Sequence, residues 1–508
     1  MPSTQYDALD RPAKVTDSVP STTTYTYDTA VDPRGLATSV ADSVAGTLTA
    51  RYDADGTMVS QGLPGGFTMR QEQDPAGIPV TRTYTRDSDG TVLVSDSVTS
   101  TVQGQVAGHA GTPGVTASQS YAYDKAGRLT RVQDTSTDAV CATRSYTFDK
   151  NSNRKTLASA TAAVNADCTT TGGTTTSYSY GSADRQVNSG HTYDAFGRTT
   201  ALPGSSLAYF ANDLAQQQTA GNQRQTWSLD SNMRFRSWTK ETNNAGTWSQ
   251  TEAKTNHYDS DSDSPRWIVE NNAGGALTRN VSGLDGNPAA TTAKSGGTVL
   301  LLANPHGDIT LALPADTSQA PTVLDADEYG NPRAGQAPSR YGWLGEEQRS
   351  SETLTGLTLM DARLYDPATG RFLQTDPVTG GSCNAYDYVC GDLVNMVDLD
   401  GRMAALALVG AAGLGVSAGT ALAIIGLIWW YGKAWAIRKV KTPWREARKS
   451  GKAKGNDVPD FAKGQRRHSG ESLDRATDRV MKHGGYRPPY KKGPGSIYHK
   501  VRKYLSRN

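Results

Sequence analysis

A chain of 508 residues is long enough for several domains and a large core. Only 36% of it is hydrophobic, while it holds 52 glycines and 23 tyrosines, a composition that suits short strands and tight turns rather than packed helices. The net charge of +2 hides an asymmetry: residues 432–508 carry 22 of the 52 basic side chains but 6 of the 50 acidic ones. An acidic body with a basic tail points to a tail that meets a polyanion, or one held by its own acidic container.

Residues 1–339 repeat one short pattern. Tyr6-Asp7-Ala8-Leu9-Asp10-Arg11, Tyr52-Asp53-Ala54-Asp55-Gly56, Tyr123-Asp124-Lys125-Ala126-Gly127-Arg128 and Tyr193-Asp194-Ala195-Phe196-Gly197-Arg198 are its clearest copies, with weaker ones at Leu229-Asp230 and Tyr258-Asp259. Internal repetition is the signature of an array or solenoid. In each unit a strand ends in Tyr, whose ring packs on its neighbour. Asp then caps backbone N–H groups, Gly or Asn supplies a left-handed position, and Arg starts the return strand. The prediction is a row of antiparallel hairpins, each buried only by the next. His306, alone in a turn, reads as structural. The N-terminus enters repeat sequence at once without a signal peptide, so the expectation is non-classical export or a fragment of a longer protein.

Four cysteines fall at 141, 168, 383 and 390, with no zinc-ligand spacing. Cys141 and Cys168 flank consecutive predicted strands, which leaves a disulfide or free thiols open. Cys383 and Cys390 receive no role.

Residues 340–401 break the monotony. Gly356-Leu357 precedes Ala362-Arg363-Leu364-Tyr365-Asp366-Pro367, then Gly370-Arg371-Phe372, Asp376-Pro377, Asn384-Ala385-Tyr386 and Val394-Asn395-Met396-Val397-Asp398. This stretch resembles the RHS-repeat-associated core of bacterial RHS/YD-repeat polymorphic toxins. The resemblance implies a β-hairpin spiral closing into a shell (1–339), and a core (340–401) that cuts itself at the junction with an enclosed C-terminal toxin. Shell proteins of that family are usually much longer, which favours the fragment reading. It also implies cleavage of the aspartic-protease kind near a DPxG-type motif, here Asp398-Leu399-Asp400-Gly401, with Leu399 and Leu393 where the family has Pro. Asp366 and Asp376, both in Asp-Pro turns, are the expected carboxylate pair, because two close carboxylates share one proton and split the base and acid roles. Arg363 is expected to position one of them. Plain turn chemistry is the competing reading of both Asp-Pro steps.

Residues 403–431 form an uncharged run long enough to span a bilayer, ending in Trp429, Trp430 and Tyr431 and followed by a basic flank reaching residue 441. The expectation for 403–441 is an apolar helical segment that helps the tail cross a target membrane, with a true anchor or a packed interior segment as alternatives. Residues 442–508 are expected to form a small basic α or α+β domain. Its better helix starts at Ser469 or Gly470 and places Leu473, Ala476 and Val480 on one face. A final helix turns Ile497, Val501 and Leu505 inward.

The tail also holds the second candidate site. His468, Glu471, His483, His499 and Lys500 can supply a base, an acid and a cation for cutting RNA through its own 2′-OH, without metal or cofactor. Arg466, Arg467, Arg479, Arg487, Lys491, Lys492 and Lys503, interleaved with tyrosines, suit phosphates and unpaired bases. A metal-dependent DNase using Glu471, Asp474 and Asp478 is the rival enzyme. No P-loop or dinucleotide fingerprint stands out. The expected partners are an RNA substrate (or DNA), an acidic immunity protein, a secretion apparatus and, in passing, the target membrane. The protein is expected to be secreted or on the surface of its producer, with the toxin acting in the target cytoplasm. A wall-associated carbohydrate or adhesion array, or a membrane-permeabilising effector acting through 403–431, are the alternatives.

Overall fold

The computed structural model describes residues 3–406, apart from 18, 20, 76, 113–116, 273, 295, 334–335 and 379, and in the tail residues 472–483, 498, 501–502 and 505–506. The chain divides into two compact units, Met1–Leu422 and Ala423–Asn508.

The first unit is mainly β. Its strands run in sequence order through two antiparallel meanders. One has 15 strands, from Ser3–Tyr6 to Thr174–Ser177, and the other 13, from Thr192–Tyr193 to Thr322–Val323. Every strand pairs with its neighbours in sequence, as a hairpin array demands. Within Gly46–Tyr52, for example, Leu48 and Ala50 are buried and their neighbours exposed, the period of two that gives a sheet one wet face.

The repeated turn explains the regularity. The Asp124 carboxylate accepts the backbone N–H groups of Ala126 (2.8 Å) and Arg128 (3.1 Å), and the Arg128 Nε–H (2.8 Å). Asp7, Asp194 and Asp230 hold their own turns in the same way. The residue before the arginine takes positive φ, as at Gly127 (85°) and Gly197 (87°). The arginine then reaches forward. Arg128 donates to the Asp149 carbonyl of the next turn and lies over the Phe148 ring, and Arg234 does the same to Ser260 and Tyr258. The tyrosine before the aspartate reaches back: Tyr123 Oη donates to the Val106 carbonyl and Tyr52 Oη to that of Ala37, both at 2.7 Å. Each unit is thus tied to the one before and the one after.

Apolar clusters join these sheets to each other and to the core segment. One packs Leu48, Met69 and Val94 of the first sheet against Val281, Leu300 and Leu311 of the second. The buried pair Arg279–Asp42 (2.9 Å) crosses the same junction. A second cluster joins Leu129, Val132 and Tyr146 to Trp343, Tyr365, Phe372 and Tyr388 of the core segment. A third joins Trp227 and Trp238 to Leu357, Leu364 and Leu373. The core segment therefore packs on both sheets. Polar pairs fix its register: Arg82–Glu346 (2.9 Å), Arg371 Nη1 to Asn153 Oδ1 (2.7 Å), and Tyr386 Oη to the Gly197 carbonyl (2.7 Å). His306 links Asp308 to the Leu393 carbonyl (3.1 Å).

Both cysteine pairs are joined, Cys141–Cys168 and Cys383–Cys390. The second pair, which the sequence left without a role, closes a short loop inside the core segment.

In the second unit a helix spans Leu473–His483, starting a few residues later than the sequence suggested. Ser472 is its cap: its Oγ accepts the Arg475 N–H (3.3 Å). Ala476, Val480 and Met481 are buried with Tyr498, Val501 and Leu505. Asp474, a rival metal candidate, is paired with Arg502 (2.8 Å). Among the described residues no helix is long and apolar enough to cross a membrane. Most of the 403–441 segment lies outside the described residues. Its first residues are extended: Ala405–Leu406 pairs antiparallel with Met396–Val397.

Candidate active site

The site forms where the end of the core segment folds back over its own small sheet, made of Thr358–Met360, Arg363–Asp366 and Arg371–Phe372. Arg363 is its centre. The side chain is 1% exposed and its guanidinium lies 3.6 Å from the centroid of the Phe372 ring. One nitrogen, Nη2, meets two carboxylates: Asp398 Oδ2 at 2.9 Å and Asp376 Oδ2 at 3.4 Å. Two buried carboxylates thus share one buried cation.

The pair differs from the one read in the sequence. Asp366 takes the Ala368 N–H and the Thr369 hydroxyl, so its carboxylate caps its own Asp-Pro turn. The carboxylate that joins Asp376 at Arg363 is Asp398, which the sequence had assigned only to the cleavage region. The physical reason is local. Asp366 has donors two and three residues ahead, whereas Asp398 is fully buried and can find its cation only across the fold.

Asp398 holds the following chain. Its Oδ1 accepts the N–H groups of Arg402 (3.0 Å) and Met403 (3.1 Å). The Ala404 N–H goes to the Gly381 carbonyl (3.1 Å). Gly401, at φ 64°, turns the chain into this position, and a side chain there would meet the Met360 carbonyl at 2.6 Å and the Arg363 nitrogen at 3.1 Å. Gly381 is equally constrained. A Cβ on it would run into the Arg402 carbonyl and lie 3.0 and 3.1 Å from the two Asp376 oxygens. The Arg402–Met403 peptide bond thus has its N–H on Asp398 and its carbonyl on the Gly381 wall beside Asp376. The Arg402 side chain is anchored by Asp361 (2.8 Å), with Asp400 at 3.6 Å.

Burial pushes Asp398 up to about 6, and Asp400 adds to the rise while Arg363 opposes it. Burial thus favours the protonated form of Asp398, whose Oδ1 accepts the Met403 N–H at 3.1 Å. Asp376 Oδ2 is buried, with the 3.4 Å ion pair to Arg363 and no hydrogen bond. Hydrolysis here would add the water oxygen to the Arg402 carbonyl carbon, break the C–N bond and protonate the Met403 nitrogen.

Cys383, Asp387 and Cys390 bring potential metal donors within 4.8 Å of one another, but both sulfurs are committed to the disulfide.

The tail candidates are less fully placed. Arg479 lies in the Leu473–His483 helix, and His483 is its last residue. His468, Glu471, His499, Lys500, Arg466, Arg467, Arg487, Lys491, Lys492 and Lys503 lie outside the described residues.

The fold has been seen before in solved structures. The crystal structure of TcdB2-TccC3-TEV superposes with a TM-score of 0.65 at 17% identity, over 79% of this chain and 21% of that one. TcdB2-TccC3 without its hypervariable C-terminal region gives 0.65 at 18%, over the same shares. The Photorhabdus luminescens Tc holotoxin pore gives 0.63 at 17%, over 80% and 21%. At such identity the likeness is one of fold. In sequence, the chain is 28% identical over 156 residues to the tRNA3(Ser)-specific nuclease WapA of Bacillus spizizenii, covering 29% of this chain and 6% of that protein. It is 33% identical over 109 residues to the tRNA nuclease WapA of Bacillus subtilis, covering 20% and 4%. The chain therefore spans about a fifth of the solved chains and less than a tenth of these nucleases. No family model matches it.

Proposed function

We propose that this chain is the C-terminal part of a secreted RHS-type polymorphic toxin whose core cuts the Arg402–Met403 bond and frees a basic C-terminal enzyme. The observation that carries the reading is the seat of that bond, with its N–H on Asp398 and its carbonyl beside Asp376. Arg363 holds the two carboxylates together, Asp376 takes the proton of the attacking water, and Asp398 protonates the departing nitrogen. The likeness of fold to TccC3, one of whose structures lacks a hypervariable C-terminal region, supports a container with an exchangeable tip.

For the freed part, the reading is a nuclease acting on RNA in a competing cell, with His468, Glu471, His483, His499 and Lys500 as its chemical groups. RNA is preferred over DNA on the names of two partial relatives, both tRNA nucleases, matched over 6% and 4% of their lengths. A secretion apparatus would export the chain, 403–431 would assist passage of the tail, and an acidic immunity protein would cover the basic face. Expressing the full chain in a bacterium, beside Asp398→Asn and His499→Ala versions, tests this. Fragmented tRNA or rRNA with intact DNA is expected for the unaltered chain and not for either substitution. Degraded DNA, or intact nucleic acids despite release of the tail, would refute the ribonuclease.

A further inference from the structure

We propose that the Cys383–Cys390 disulfide is the positioning clasp of the aspartate pair, so that self-cleavage runs while the bond is intact and stalls when a dithiol reduces it. The inference rests on the self-cleavage reading above.

Three observations carry it. First, the loop closed by this bond holds the backbone of both aspartates. The Asp376 N–H donates to the Ala385 carbonyl (2.8 Å), and the Asp398 N–H to Tyr388 Oη (3.2 Å). Both acceptors lie between the two cysteines. The same loop accepts the Phe372 N–H at Tyr386, beneath Arg363. Second, the loop is held in a conformation its residues resist. Val389 and Cys390 take φ of 46° and 58°, a left-handed region that L side chains avoid, and Val is β-branched. Packing of Tyr388 and Val389 in the apolar cluster holds one side of that turn and the covalent tie at Cys390 the other; without the tie the turn can relax and lengthen the Tyr388–Asp398 hydrogen bond. Third, the bond is reachable. Cys383 is exposed and Cys390 half-buried, while in the other pair Cys168 is half-buried and Cys141 only 2% exposed.

Reduction balances as ordinary thiol–disulfide exchange. One thiolate of the dithiol attacks a protein sulfur, forming a mixed disulfide and releasing the other cysteine. The reagent's second thiol then closes its own disulfide and frees the remaining cysteine. Two electrons and two protons pass from the reagent to the protein. A toxin assembled under oxidising conditions would thus have its cutting geometry set, and a reducing compartment would relax it.

The test uses the full chain made by cell-free synthesis, with cleavage followed on denaturing gels below the melting temperature. One reaction contains oxidised glutathione and another dithiothreitol. The expected result is cleavage at least tenfold slower in dithiothreitol, restored when the reductant is removed and the chain reoxidised. Cys383→Ser/Cys390→Ser should be slow in both, and Cys141→Ser/Cys168→Ser should keep the full response. Protease resistance of an Asp398→Asn chain in both conditions reports folding independently. The pH profile of the rate separates positioning from stabilisation: a displaced Asp398 shifts the profile, whereas a smaller folded fraction lowers it without a shift. Equal rates in both conditions, a Cys383→Ser/Cys390→Ser chain that cuts like the oxidised parent, or a loss explained wholly by unfolding would each overturn the proposal. An unaltered chain that never cuts would remove the reading beneath it, and the proposal with it.

Discussion

Asp398 makes the stability of the core segment depend on pH in a direction opposite to that of most carboxylates. In an unfolded chain its carboxyl titrates near 3.8, and in the folded protein burial raises it to about 6. Below both values the group is neutral in either state and costs nothing. Above both, the folded state holds a buried charge that it disfavours, so stability falls as pH climbs from about 4 through about 6. At about 1.4 kcal/mol for each tenfold change in proton affinity, the loss is on the order of 2–3 kcal/mol. The comparison uses two chains that should not cut themselves, Asp376→Asn and Asp376→Asn/Asp398→Asn. Urea unfolding is followed through tryptophan fluorescence, to which Trp343 contributes from the core, stacked on Tyr365 with ring centroids 5.2 Å apart. Because both chains share every other titrating group, subtraction isolates Asp398 together with its interactions, the Asp400 charge among them. Their stability difference should change by about 2–3 kcal/mol between pH 4 and pH 8, with the double variant gaining relative to the single one as pH rises. A difference that stays constant across that range would refute the assignment of a buried, proton-holding Asp398.

The repeated turns predict a contrast between two substitutions at one residue. Asp194→Ala removes the acceptor of two backbone N–H groups and of Arg198, and should cost about 1–2 kcal/mol, whereas Asp194→Asn keeps the backbone acceptor and should cost less than about 1 kcal/mol in a thermal melt. Burial works against the Asp194 charge, but Arg198 and the turn N–H groups outweigh it and hold the carboxyl below its usual range, so this contribution is lost as pH falls below about 3.8. Gly197→Ala tests the docking of the core segment: a Cβ there would lie 2.8 Å from Tyr386 Oη and 2.9 Å from Thr375, at a φ of 87°. The left-handed penalty and the threatened Tyr386 hydrogen bond together predict a loss of about 2–3 kcal/mol and earlier proteolysis of the core segment; an unchanged melt would contradict the packing.

How far the sequence could be read follows from the range of each interaction. The turns were legible because Asp124 acts on residues two and four positions ahead, and residue identity alone states that chemistry. The coupling of one turn to the next was not, since Arg128 reaches Asp149 only once neighbouring strands have paired. The same limit governed the site. Arg363 and Asp376 could be named from the motif, but Asp366 looked equivalent to Asp376 because both precede Pro. Its own turn donors distinguish it, and they are visible only in the folded hairpin. Asp398 lies 35 residues from Arg363, and nothing local signals their contact. The spacing of Cys383 and Cys390 carried no signal either, because the tie depends on left-handed residues at 389 and 390. The division of the repeats into two sheets has no marker in the repeat pattern.

The most direct test of the central claim is the intact mass of the purified full chain and of its Asp398→Asn and Asp376→Asn versions. The account predicts that the unaltered chain yields a fragment beginning at Met403, and that each substitution slows its appearance by about 10²–10⁴-fold. A cut at another bond, or an unaltered rate in either variant, would contradict it.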